Sequence, residues 1–202
     1  MSTLSTSGRS TYHHGNLRPA LIAAARALLD EGGASAVGLR EAARRVGVSP
    51  TATYRHFRDK DALLAAVAAQ GFREFAAALA DAGRAGEPLS AMGAAYVDFA
   101  LARPGMFRLM FSPLLAERAI DAELRAAAEE AFAQLRRGVE SRAAGGEGVE
   151  AAAIAAWSLV HGLSHLILDG VLPKESAEAL KQAILTPPSG APNLGRFAPP
   201  GR

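Results

Sequence analysis

The chain has 202 residues, half of them hydrophobic but only 6% aromatic, and no cysteine. That length holds one ordinary domain or two small ones, and the missing cysteines exclude disulfide scaffolds, Cys-based zinc sites, iron–sulfur clusters and thiol catalysis. Net charge is only +2, yet residues 1–60 carry nine Lys or Arg against four Asp or Glu, the asymmetry expected when one end of a chain meets a polyanion.

About a quarter of the chain is alanine, the best helix former, so composition points to an all-α protein before any motif is read. Residues 1–15 are rich in Ser, Thr and Gly without apolar period and read as a disordered arm; His13-His14 is too short for a metal tract, but a loose basic arm could lie in a minor groove. Leu17, Leu21, Ala25 and Leu28 recur at helical spacing, with Asn16 as cap, Pro19 in the tolerant first turn and Gly32-Gly33 as the stop. A second helix is predicted over 39–46, with Leu39, Ala42, Ala43 and Val46 inward and Gly47 ending it. Ser49 then offers an N-cap and Pro50 a first helical position, so a third helix is predicted over 50–57. Two short helices across a Gly-containing turn form a helix-turn-helix, here at about 38–57.

A long fourth helix is predicted from 60 to about 82, striped by Leu63, Val67, Gly71, Phe75 and Leu79. Further helices follow at 89–102, 105–111, 121–142, 149–168 and 174–185, punctuated by Pro104, Pro113, Gly145-Gly146 and Pro173, for about nine in all. Residues 186–202 read as a disordered tail. This divides the chain into an arm (1–15), a helix-turn-helix domain (16–62), a larger helical domain (63–185) and the tail. No strand alternation and no repeat is found, and no signal peptide is expected. The apolar run at 151–168 holds two histidines and a tryptophan and is not read as a membrane span, so a cytoplasmic protein is expected.

The residues after Gly47 carry the chemistry. A reading helix needs small or polar side chains at its N-terminus to enter the major groove, and Ser49, Pro50, Thr51 and Thr53 meet that demand. Thr methyl groups can touch thymine, Arg55 can make a bidentate contact with guanine, and Arg40 on the second helix can reach a groove edge as well. Tyr54 and Phe57, three apart, also fit a core pair, and for Phe57 packing is the expectation.

Gly47-Val48-Ser49, Thr51, Thr53-Tyr54, His56-Phe57, Lys60-Asp61 and Ala62-Leu63 together resemble, in order and spacing, the DNA-binding domain of TetR-family transcriptional regulators. Trp157, His161 and Gly162 resemble a C-terminal subclass of the same family. Gly38 departs from the pattern, since the family often has a threonine there. The resemblance implies that Tyr54, His56 and Lys60 contact phosphates, that the partner is double-stranded DNA with a pseudo-palindromic operator, and that the protein is usually a repressor answering to a small-molecule effector.

A homodimer is expected, because one three-helix reader touches too few base pairs for specific affinity. Leu159, Leu163, Leu166, Leu180 and Ile184 on the last two helices are its predicted interface. Phe99, Met106, Phe107, Met110 and Phe111 around the break at Pro104, with Trp157, His161 and His165, are the predicted walls of an apolar ligand pocket. No enzymatic signature is found: Gly145-Gly146-Glu147-Gly148 lacks a phosphate-loop Lys-Ser or Lys-Thr pair, and no Gly-x-Ser-x-Gly elbow occurs. Neither cofactor nor metal is expected. The competing reading is an all-α metal-binding protein or enzyme using His161 and His165, one turn apart; a third is a helix-turn-helix serving only in protein interaction.

Overall fold

A computed structural model describes residues 17–84, 88–116, 121–141 and 148–185. The arm, the tail and the Gly145-Gly146-Glu147 loop lie outside the described residues. Every regular element among the described residues is helical, and packing divides the chain into two units between Ala68 and Ala69, inside the fourth helix and past the boundary at 62 read from the sequence.

In the first unit, α1 (Leu17–Ala36) packs on α2 (Leu39–Val46). The helical ladder of α1 is interrupted at Gly32 and Gly33, the latter at φ +69°, which confirms the glycine pair as the break although the helical turns resume beyond it. Gly47 ends α2 in the left-handed region at φ +75°, and the Val48 N–H returns to the Ala43 carbonyl at 3.0 Å. Ser49 then caps α3 (Pro50–Thr53), its hydroxyl accepting from the Ala52 N–H at 3.3 Å.

The third helix is shorter than its predicted span to 57. The Thr53 carbonyl takes the N–H groups of both His56 (2.9 Å) and Phe57 (3.0 Å), so the chain tightens into a turn over 54–56. It has to, because α4 (Lys60–Ala82) starts three residues after Phe57, which is buried. The Asp59 carboxylate caps α4 by accepting from the Ala62 N–H at 2.7 Å. Leu21, Leu29, Val37, Ala42, Phe57, Leu63 and Leu64 fill the core between these elements.

In the second unit, α5 (Pro88–Ala102) lies at the centre and packs on α6 (Pro104–Met110), α8 (Ala122–Glu140), α9 (Val149–Leu168) and α10 (Ala177–Leu185). A single turn, α7 (Pro113–Ala116), follows α6, and a 3-10 turn at Lys174–Ser176 begins the span predicted as one final helix. Asp121 caps α8 through the Leu124 N–H at 2.9 Å. Gly71 lets α4 and α6 approach: a Cβ there would stand 2.6 Å from the Met106 sulfur. Lys181 on α10, almost buried, bridges Asp98 on α5 (2.5 Å) and Glu178 (2.7 Å).

Candidate functional site

The exposed rim of the first unit gathers most of the predicted nucleic-acid residues. Arg40 on α2, Ser49, Pro50 and Thr51 at the start of α3, and Tyr54, Arg55 and His56 in the following turn are all exposed. Tyr54 is 53% exposed, so it is not the core partner of Phe57. Thr53 is the exception and corrects its assignment as a base contact. It is fully buried, and its hydroxyl donates to the Pro50 carbonyl at 2.6 Å. The register explains this: Thr53 lies one helical turn before Phe57 and shares its inward face.

Lys60 is half-buried at the start of α4, with Nζ 3.4 Å from the Ser35 carbonyl. It lies beside an open hollow of about 430 Å³, lined by Gly38, Leu39, Arg40, Tyr54, Arg58, Asp59 and Lys60. Three cations there face one carboxylate, and Arg58 pairs with Asp59 at 3.3 Å. The start of α2 opens on the same hollow without a side-chain cap, since Gly38 has none to give. Cationic side chains beside an uncapped helix start attract a phosphate. Sequence reasoning missed Arg58, though its place two residues before Lys60 was a signal. Arg44 and Arg45 are engaged by Glu41 (2.6 Å) and Glu31 (2.5 Å), whose carboxyls they hold below the usual range.

The second unit contains a cavity of about 360 Å³. Six of its wall residues are aromatic, Phe72, Phe75, Tyr96, Phe111, Phe132 and Trp157; Leu79, Ala128, Ala131 and Leu135 complete the apolar surface, and Glu129 is its one charged residue. Of the residues predicted for a pocket, Phe111 and Trp157 line it. Phe99, Met106, Phe107 and Met110 do not: each is at most 4% exposed, and they form the core beside the cavity. They surround the break at Pro104 as expected, but the α5–α6 corner is closed by its own packing, including the Met106 and Met110 sulfurs over Gly71. The cavity opens instead between α4, α5, α8 and α9.

His161 and His165 stand behind the wall. The Trp157 indole N–H donates to the Tyr96 hydroxyl at 2.9 Å, and that hydroxyl lies 2.8 Å from His161 Nδ1. Both bonds are satisfied when Tyr96 donates to an unprotonated His161 Nδ1. Burial first, and the neighbouring His165 second, hold His161 below the ordinary histidine pKa, which favours that neutral state. Burial pushes the Tyr96 phenol well above its ordinary value. The His165 ring lies tilted against that of His161, with centroids 4.6 Å apart, and its Nδ1 is 3.9 Å from Asp169, which pairs with Arg108 at 2.6 Å. Among the described residues no three His, Asp or Glu side chains converge as metal ligands would.

Both α4 and α9 are long and apolar enough to cross a bilayer, but their surroundings differ. Two thirds of the apolar window of α4 is buried, 67%, against 28% for α9. On α9, Val160, Leu163 and Ile167 face inward, whereas Ile154, Leu159 and Leu166 are each more than 40% exposed. Leu163, predicted at a dimer interface, therefore belongs to the core of its own chain, at 4% exposed. Leu180 and Ile184 on α10 are partly buried, and Ile184 lines a neighbouring hollow with Leu185.

Residues 21–67 match the family model described as bacterial regulatory proteins, tetR family, and residues 89–186 match the tetracyclin repressor-like C-terminal domain. The chain belongs to the TetR family. Among similar solved structures, a protein of unknown function from Rhodococcus sp. RHA1 is 33% identical with a TM-score of 0.68, over 88% of this chain and 97% of that one. The TetR-family transcriptional regulator PfmR from Thermus thermophilus is 26% identical with a TM-score of 0.53, over 82% and 96%. A bacterial regulatory protein of the tetR family from Rhodococcus RHA1, at 23% identity and a TM-score of 0.61 over 84% and 95%, shares the fold. No curated protein matches the chain. The helix-turn-helix unit and the all-helical C-terminal domain described above are thus the two parts of a TetR-family regulator.

Proposed function

We propose that the protein is a homodimeric, cytoplasmic repressor that binds a pseudo-palindromic DNA operator and is released by a small hydrophobic effector. The observation that carries the DNA half is the exposed set Arg40, Thr51, Tyr54, Arg55 and His56 around the α2–α3 turn, beside a cationic hollow, in a segment matched by the family's N-terminal model. Arg55 and Arg40 read bases; Tyr54, His56, Arg58 and Lys60 hold phosphates and fix the register.

Two observations support the regulatory half. The outward row Ile154, Leu159 and Leu166 on an apolar helix leaves a face that a second copy of α9 and α10 would cover as a four-helix bundle, with Leu180 and Ile184 at its edge. The aromatic cavity suits a ligand, and three of its wall residues, Phe72, Phe75 and Leu79, belong to α4, the helix that begins at Lys60. A ligand preferring one setting of α4 would bias the spacing of the two reading heads; one indifferent to that setting would shift nothing.

The test is direct. A labelled fragment from upstream of the protein's own gene should bind with an affinity that falls steeply between about 50 and 200 mM salt, as counterion release requires, while an unrelated fragment binds far more weakly. Equal binding of both fragments at physiological salt would reject sequence-specific regulation.

A further inference from the structure

The arginines around the α2–α3 turn divide into two kinds. Arg40 and Arg55, the proposed base readers, are exposed, and among the described residues no carboxylate pairs with either. Arg44 is also open to solvent, its side chain 72% exposed, yet Glu41 takes it through two bonds, from Nε to Oε2 at 2.9 Å and from Nη2 to Oε1 at 2.6 Å. Arg44 stands one turn beyond Arg40 on the outward face of α2 and three residues before Gly47, so a phosphate chain held beside Arg40 passes within its reach.

The neighbouring cation competes only weakly for Glu41. Arg45 spends its own fork on Glu31 of α1, at 2.7 and 2.5 Å, and approaches Glu41 no closer than 3.6 Å. Bonding to Arg44 holds the Glu41 carboxyl below the usual carboxylate range, so the pair stays ionised and sums to zero charge at neutral pH. An exposed pair adds little to folding stability, and α2 would draw its charge–dipole benefit from any acid in its first turn and any base in its last. What the bidentate fork adds is geometry: it turns toward a carboxylate the guanidinium edge that would otherwise be offered to a phosphate.

Sequence-independent attraction for DNA depends on cations free to replace counterions, each phosphate contact adding about 0.9 to the salt slope. On unrelated DNA the head slides, and a free Arg44 would take whichever phosphate lay nearest. On the operator, Tyr54, His56, Arg58 and Lys60 fix the register, and Arg44 has one position only. Freeing it would therefore favour the many wrong sites over the right one. We propose, resting on the reading of this face as the DNA-binding surface, that Glu41 is a specificity-determining residue: by holding Arg44 it keeps that charge out of sequence-independent binding.

The full-length protein, Glu41→Gln, Arg44→Ala and the double variant are titrated against two labelled duplexes, one of mixed unrelated sequence and one from upstream of the protein's own gene, over about 50–200 mM salt. Glu41→Gln is expected to bind the unrelated duplex about five- to tenfold more tightly at about 100 mM salt, with a slope steeper by about one. It should gain less on the upstream duplex, so that the ratio of the two affinities falls. Arg44→Ala alone should leave the slope as it is, and in the Glu41→Gln background it should restore the original slope. A Glu41 that served only the fold would move the melting temperature and none of these slopes. Unchanged slopes in Glu41→Gln, equal gains on both duplexes, or a slope reduced by about one in Arg44→Ala alone would each overturn the role of Glu41 and leave DNA binding standing. If the unaltered protein binds neither duplex, or both alike, sequence-specific regulation fails and takes this inference with it.

Discussion

The residues proposed to meet DNA lie between Arg40 and Lys60, on two short helices joined by Gly47-Val48-Ser49 and on the turn that follows. The cavity of the second unit instead takes Phe75 from α4, Tyr96 from α5, Phe111 from the end of α6, Phe132 from α8 and Trp157 from α9. In the first case caps and turn chemistry settle which side chains face out. In the second, the helices must pack before a wall exists, and a change of a few ångströms decides whether a ring lines space or fills it. The DNA face should therefore answer to substitutions residue by residue, and the regulatory unit should separate sharply into core and wall.

The largest effect is expected where that separation can be broken. Phe107→Ala, at a fully buried ring, should cost about 3–5 kcal/mol in urea unfolding, while Phe132→Ala, at a half-buried wall position, should cost much less. Similar losses for both would mean that the cavity is part of the core. The two faces of α9 allow a parallel contrast. Leu163→Ala should lower stability by about 2–5 kcal/mol and keep the dimer, whereas Leu159→Glu with Leu166→Glu should give a monomeric mass in light scattering and leave the helical content intact. A dimer surviving that pair of charges would put the interface elsewhere.

On the DNA side, Arg55→Ala should weaken operator binding by about 1–3 kcal/mol and relax preference at one base position, and Lys60→Ala should weaken all sequences alike and reduce the salt slope by about one. Thr53→Val is the control for the buried threonine. It should cost about 1 kcal/mol of stability through the lost bond to Pro50 and leave base preference as it was; a changed base preference would return Thr53 to the reading surface.

The smallest effect concerns His161, whose folded-state pKa lies below its ordinary value of about 6.5. With a depressed histidine the unfolded chain takes up its proton first as pH falls. Stability is thus unaffected above about pH 6.5 and declines below it, until the folded form also protonates. The melting temperature should fall slightly as pH drops just below that point, and His161→Gln, which keeps an acceptor for Tyr96, should flatten that step. An identical profile in the variant would remove His161 as the source.

The boundaries of α2, α4 and α9 are legible in the sequence to the residue, because Gly47, the Pro50 start and the Asp169-Gly170 stop act through local backbone rules. So are the helix-turn-helix and the exposed residues Arg40, Ser49, Pro50, Thr51, Tyr54, Arg55 and His56. Thr53 escapes such reading because a helix predicted to run on to 57 hides its inward register. Phe72, Phe75, Tyr96 and Phe132 show only as helical stripes, since periodicity tells which face is apolar and not whether that face meets a neighbour or a void. The same limit leaves Leu159 and Leu163 equivalent in an apolar run, though only Leu163 is buried.

By itself, the sequence determined the all-helical class, the order of the elements, the reading head and the family, all of which rest on side chains interacting within a few residues of one another. Tertiary structure alone decided which aromatic residues became wall and which became core, that Tyr96 links Trp157 to His161, and which leucines of α9 were left outside. Those outcomes depend on contacts between helices far apart in the chain, where packing to near-crystalline density leaves each side chain one position and the sequence pattern allows several.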